Sequence, residues 1–217
     1  MSSAEQRRDE VLGSIRAAAK IARRDPGEVT LIAVSKTRSA EEIEEIIEAG
    51  QRDFGESRVQ EAQSKWPAIL ARHADVRLHC IGRLQSNKAA DAVSLFNTIH
   101  SLDRKSLLDA LVREAEKAKR FPSIYVQVNI GDEPQKGGCP IGEVGELVAA
   151  VRDSPLALAG LMCIPPLGLE PSPFFALLAK IAAEHGVEGL SMGMSADFKA
   201  AVMLGATAVR VGTALFE

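Results

Sequence analysis

Aromatic side chains are scarce in this chain: 1 Trp, 1 Tyr and 7 Phe among 217 residues. Basic excess is missing too, since 26 Lys and Arg face 29 Asp and Glu for a formal net charge of -3. Without stacking rings or surplus cations there is little to grip a nucleic-acid backbone or its bases, so nucleic acid is excluded as a partner. Cysteines are few. Cys80, Cys139 and Cys163 are odd in number and show no C-x-x-C spacing, which argues against a disulfide framework and points to a reducing cytoplasm. Long apolar runs are also absent. The longest uncharged stretch, 156–169, is interrupted by Gly160 and the Pro165-Pro166 pair and is too short to span a bilayer. The amino terminus, MSSAEQRRDE, is charged where a secretory signal needs an apolar segment. His73, His79, His100 and His185 form no H-E-x-x-H or H-x-H spacing, so no metal site is expected, and no serine sits in a G-x-S-x-G elbow.

What remains is an ordinary globular composition, 46% apolar and 25% charged. A chain of this length buries about 70% of its unfolded surface and needs no staple. One unit recurs: a short run rich in Val, Ile and Leu, a turn, then a helical segment. Strands are expected at 29–35, 53–56, 77–82, 97–102, 123–130, 156–164, 189–193 and 208–213. Helical periodicity fills 39–49, 57–72, 86–94, 104–119, 141–152, 173–185 and 196–204, with a further helix at 4–23. The clearest is the first of these, where Ser39 and Glu42 form a capping box, Ile43, Ile46 and Ile47 one stripe, and Gly50 the stop. The glutamates between them read as a solvated face.

Strands apolar on both faces and alternating with helices indicate a parallel sheet covered on both sides. Eight such units close into a (β/α)8 TIM barrel, here one domain over 1–217 with an extra amino-terminal helix. A doubly wound open sheet is the alternative, but it would show fewer strands and often a glycine-rich first turn. The turn after the first strand is Ser35-Lys36-Thr37-Arg38.

Barrel chemistry sits where strands end. Lys36 follows LIAVS, and alternation puts it on the face of Ile32 and Val34. A lysine desolvated there offers a nucleophilic amine able to form an imine; the bland alternative is an ammonium snorkelling out of the mouth. Arg210 lies between Val209 and Val211 and needs a partner, either an internal carboxylate such as Glu56 or a ligand. The stretches Ser191-Met192-Gly193-Met194-Ser195 and Gly212-Thr213 follow the seventh and eighth strands, the usual phosphate position of this fold, although glycine and serine are also common turn residues.

A strand-end lysine, a phosphate cup and a last-strand arginine suit a phosphorylated aldehyde held as an imine. The stretches AVSKT (33–37), FGESRVQE (54–61), HCIGRLQSNK (79–88), VNIGDEPQKGG (128–138), LMCIPP (161–166), SMGMSADF (191–198) and AVRVGTALF (208–216) run through the chain in one family's order. In them the sequence resembles the pyridoxal phosphate homeostasis proteins, whose barrel is similar to the amino-terminal domain of alanine racemase, the fold-type III arrangement. The resemblance implies that Lys36 carries pyridoxal 5'-phosphate as an internal aldimine, that Ser191, Met192, Gly212 and Thr213 receive the phosphate, and that Arg210 faces the pyridine nitrogen. Ser57 stands where the family usually has Asn, and Cys163 where Thr is common; both fall at strand ends flanking the ring.

An arginine can only donate, so it favours an unprotonated ring and a weak electron sink. Alanine racemases add a tyrosine from a second domain; the only tyrosine here, Tyr125, lies early in the fifth strand. The reading that follows is a non-catalytic binder of pyridoxal phosphate and related B6 vitamers, with no catalytic residue. By family resemblance it is a monomer that regulates the free cofactor and passes it to apo-enzymes. The alternatives are a low-activity amino-acid racemase and a cofactor-free Schiff-base aldolase.

Overall fold

The computed structural model describes residues 3–217. Strands β1 (Thr30–Val34), β2 (Asp53–Glu56), β3 (Arg77–Cys80), β4 (Thr98–Leu102), β5 (Ser123–Gln127), β6 (Leu158–Met162), β7 (Leu190–Met194) and β8 (Ala208–Val211) pair in parallel and in chain order, and β8 closes on β1. Helices α2 (Ala40–Glu48), α3 (Val59–Arg72), α4 (Ala89–Leu95), α5 (Lys105–Ala118), α6 (Val144–Arg152), α7 (Ser172–Glu184), α8 (Phe198–Met203) and α9 (Thr213–Phe216) each follow a strand, and α1 (Ala4–Ile21) precedes β1. The expected eightfold barrel with an extra first helix is therefore present.

Local chemistry explains the helix starts. Ser39 accepts from the Glu42 N–H while Glu42 accepts from the Ser39 N–H, opening α2, and Ile43, Ile46 and Ile47 turn inward. Ser3 and Gln6 make the same box for α1, whose Val11, Ile15, Ala18 and Ala19 are buried as it packs on α8 and α9. Among the described residues no helix is long and apolar enough to cross a membrane.

The apolar core is a sleeve between sheet and helices, built from outward strand residues such as Phe54, Leu78, Ile99 and Val126 against Ile43, Ile69 and Leu111. Each such side chain, removed from water, contributes about 1.5–3 kcal/mol of transfer free energy. The inner face differs from the expectation of apolar strands on both sides. Ile32, Met162 and Ala208 are buried outside that sleeve, and beside them His79, His100, Gln127, Ser191 and Arg210 are buried as well. The lumen is polar, and its polar groups find one another.

Candidate functional site

Lys36 sits directly after β1, in a turn held from below by α3. Lys65 Nζ donates to the Ser35 carbonyl at 2.8 Å and to the Glu61 carboxylate at 3.0 Å, and Glu61 in turn accepts from the Thr37 N–H at 2.6 Å. Thr37 has φ 65°, a left-handed conformation costly for a β-branched residue by roughly 1–3 kcal/mol, so the clamp holds a strained turn in place. Glu56 is fully buried behind it, accepts from Ser35 Oγ (2.7 Å) and Trp66 Nε1 (2.9 Å), and is ion-paired with Lys65 Nζ at 2.9 Å.

At the carboxyl ends of β1, β7 and β8 a cavity of about 460 Å3 is lined by Lys36, Met194, Ser195, Arg210, Gly212 and Thr213, among others. That volume suits a small organic ligand. Lys36 is exposed there rather than desolvated, because the strand stops at Val34 and the side chain clears the barrel rim. Ser195 Oγ accepts from the Gly212 N–H at 3.2 Å and so ties the β7 loop to the β8 loop. Gly193 lets α8 approach β7 closely: its φ is 94°, and a Cβ on it would lie 2.6 Å from the Ala201 Cβ.

Arg210 is buried at the floor of this cavity. Nη1 donates to the Ser191 carbonyl (2.8 Å) and to Ser191 Oγ (2.6 Å), and Nη2 donates to the Cys163 carbonyl (2.9 Å). These bonds use three of five guanidinium N–H groups, and among the described residues the others have no protein partner. Burial pushes its pKa below the ordinary arginine value. The alternative of an ion pair with Glu56 is not realised, since Glu56 points out of the barrel toward α3 and pairs with Lys65.

Four anticipated positions lie elsewhere. Ser191 is fully buried in the lumen, and Met192 is fully buried in the apolar sleeve; neither lines the mouth cavity, where Met194 and Ser195 stand instead. Ser57 follows β2 with its carbonyl against Gly82, outside that cavity. The Cys163 thiol is in the sleeve, its pKa pushed up to about 12 by burial, and only the backbone carbonyl of this residue meets Arg210.

A sequence profile described as alanine racemase, N-terminal domain, matches residues 12–217. Across 224 aligned residues the chain is 40% identical to the pyridoxal phosphate homeostasis protein of Pseudomonas aeruginosa, covering 100% of this chain and 96% of that one. The chain belongs to the pyridoxal phosphate homeostasis protein family. Its fold matches the solved structure of PipY from Synechococcus elongatus PCC7942 with PLP bound, with TM-score 0.83 and 40% identity, over 94% of this chain and 100% of that one. Alanine racemase from Corynebacterium glutamicum shares the fold at TM-score 0.62 and 19% identity, over 95% of this chain and 60% of the racemase.

For a pyridoxal phosphate homeostasis protein, two features of this barrel escape a reading of its motifs. One is the Lys65–Glu61 clamp under the lysine turn. The other is the histidine pair His79 and His100, which belong to no metal-ligand spacing but lie tilted against each other beneath Arg210, with Tyr125 stacked on the His100 ring at 4.4 Å. The available signal was strand parity, since a polar residue at a lumen-facing position needs a partner as much as Arg210 does.

Proposed function

We propose that the mouth cavity holds pyridoxal 5'-phosphate, with the Lys36 amine condensed on its aldehyde, water leaving as the imine forms. The observation that carries this reading is the meeting of Lys36, Arg210, Gly212 and Thr213 around one cavity. The naming of the relatives and the cofactor bound in PipY support it. The residues fit the group. A buried guanidinium with unused N–H groups suits an acceptor such as a pyridine nitrogen, and Ser195, Gly212 and Thr213 offer hydroxyl and backbone donors to a phosphate. The phosphate role anticipated for Ser191 passes to Ser195 in this reading.

Bound there, the cofactor supplies an electron sink, which an arginine at the ring nitrogen leaves weak. The protein's contribution is to hold. Racemisation needs a second acid/base group: Tyr125 lines the opposite end of the barrel, the Cys163 thiol faces the sleeve, and the Glu217 carboxylate, which does line the cavity, is engaged by Arg38 at 2.5 Å. We therefore infer a store that limits free aldehyde, accepts related B6 vitamers more weakly, and releases the cofactor to apo-enzymes. The test is the visible absorption of the loaded protein, followed by borohydride reduction and peptide mapping. An adduct at Lys36 that Lys36→Ala abolishes is expected; an adduct mainly on Lys88 or Lys136 overturns the assignment. Incubation with L-alanine in deuterated water should give no D-isomer or deuterium above free cofactor, and turnover near ~1 per second, the low end of enzyme rates, would establish a racemase instead.

A further inference from the structure

From Arg210 a continuous hydrogen-bonded chain descends the whole lumen. Ser191 Oγ lies 2.6 Å from Arg210 Nη1 and 2.8 Å from His100 Nδ1. His100 Nε2 lies 2.9 Å from His79 Nδ1, and His79 Nε2 lies 3.0 Å from Asp53 Oδ1. Arg77 closes the series with a two-pronged bond to Asp53, Nε at 2.8 Å and Nη2 at 2.6 Å. The lower members Asp53, Arg77 and His79 line a second cavity of about 340 Å3 at the amino-terminal end of the strands, and the Arg77 side chain is 61% exposed there. The chain thus runs from water at the base to the ligand cavity at the mouth.

With both rings neutral, its polarity is set from the Asp53 end. A carboxylate only accepts, so His79 must carry its proton on Nε2 and present Nδ1 as acceptor. Neutral His100 must then donate from Nε2 and accept at Nδ1, which leaves the Ser191 hydroxyl to donate downward and its lone pair to receive Arg210. A guanidinium only donates, and in that direction a Ser191 lone pair is free to receive it. Every hydrogen bond points from the mouth toward Asp53. Burial, with the charge of Arg210, holds the His100 pKa well below the ordinary histidine value, which keeps the ring neutral. Burial raises the Asp53 carboxyl, but the hydrogen bonds from His79 and Arg77 outweigh it and keep the group below its ordinary value. Linked bonds in a low-dielectric interior polarise one another.

We propose that Asp53, His79 and His100 are positioning residues for Arg210, and that through them the base of the barrel sets the hold of the mouth on its ligand. Asp53 anchors the direction of the chain; that direction commits the Ser191 proton to His100 and leaves the Oγ lone pairs to Arg210, and this acceptor locks one edge of the guanidinium so that its remaining N–H groups face the cavity. The coupling to a ligand rests on the reading that Arg210 meets the ring of pyridoxal phosphate, whereas the chain itself does not.

Two measurements test this. Histidine-selective 15N correlation spectra of the ligand-free full chain at pH 7 should show His79 and His100 neutral and protonated on Nε2. An Nδ1–H ring or an imidazolium at either position overturns the chain, whether or not pyridoxal phosphate binds. Titration of pyridoxal phosphate, followed by its absorption band, then compares wild type, Asp53→Asn, Ser191→Ala and the double variant. Asp53→Asn should weaken binding by about threefold to tenfold and move the band, Asp53→Glu should restore part of both, and in the Ser191→Ala background Asp53→Asn should change little. Fold-changes that simply multiply would overturn the coupling. Should Asp53→Asn fail to fold, His79→Gln enters the same cycle. A wild-type chain that takes up no pyridoxal phosphate overturns the function proposed above, and the spectra still decide the direction of the chain.

Discussion

Replacing Lys65 by methionine should destabilise the protein more than its peripheral position suggests. Its side chain is 12% exposed and that of its partner Glu56 0%, so the substitution leaves a carboxylate buried without its cation. Breaking a buried pair from one side costs about 3–5 kcal/mol. Glu56 keeps the Ser35 hydroxyl and the Trp66 N–H, charge-assisted bonds of about 1.5–3 kcal/mol each, which places the loss near the lower end, about 3 kcal/mol. For a domain of this size each kcal/mol lowers Tm by about 2–4 °C, giving a drop of roughly 6–12 °C. Urea unfolding should show the loss as a lower midpoint at unchanged slope. Adding Glu56→Gln to Lys65→Met should recover much of it, since no buried charge then remains. A loss under about 1 kcal/mol for Lys65→Met, or a double variant weaker than the sum of its parts, would refute the argument.

Lowering the pH should also weaken the fold through His100. Its folded pKa lies well below 6.5, so nothing is lost above that value; below it the unfolded chain takes up a proton that the folded chain refuses, and stability falls by up to about 1.4 kcal/mol per pH unit. Equal urea midpoints at pH 7 and pH 5.5 would contradict this. Burial pushes Cys80, Cys139 and Cys163 up to about 12, so iodoacetamide at pH 8 should label none of them in the folded protein and all three in urea; stoichiometric labelling of the folded chain would show the burial to be wrong. Gly193→Ala should cost about 1–3 kcal/mol from backbone strain alone, while Gly142→Ala, where a Cβ meets nothing within 4 Å, should be nearly neutral in the same thermal assay.

Local chemistry made much of the architecture readable before folding was considered. The Ser39–Glu42 box marked the start of α2, and strand parity after LIAVS brought Lys36 to the mouth. Parity also contained the answer for Glu56, since Asp53 and Gly55 share the lumen face and Glu56 takes the other. Which residues of the 191–195 stretch line the mouth was less legible. Pairing of β7 with β8 shifts register between Ser191 and Met194, so a strict alternation counted from the strand cannot tell that Ser195, four residues on, reaches the cavity. The lumen chain was invisible for another reason: His100 and Ser191 are 91 residues apart, and no local signal announces that a closed barrel will bring them together.

The His100–Ser191 bond has a consequence for how the barrel could be assembled from halves. Asp53, His79 and His100 belong to β2, β3 and β4, Ser191 and Arg210 to β7 and β8, and this contact alone joins the two groups across the axis. In the proposed direction the first half ends in an imidazole nitrogen that accepts a hydrogen bond, the second in a hydroxyl that gives one. They are plug and socket, so neither is a substitute for the other. A barrel made by doubling β1–β4 would set two acceptors against each other, one made by doubling β5–β8 would bury two guanidinium ions without a carboxylate at the end of the line, and both would carry unsatisfied buried polar groups. Whatever symmetry the eightfold backbone displays, its interior chemistry can be satisfied by joining one half to the other and by no pairing of like with like.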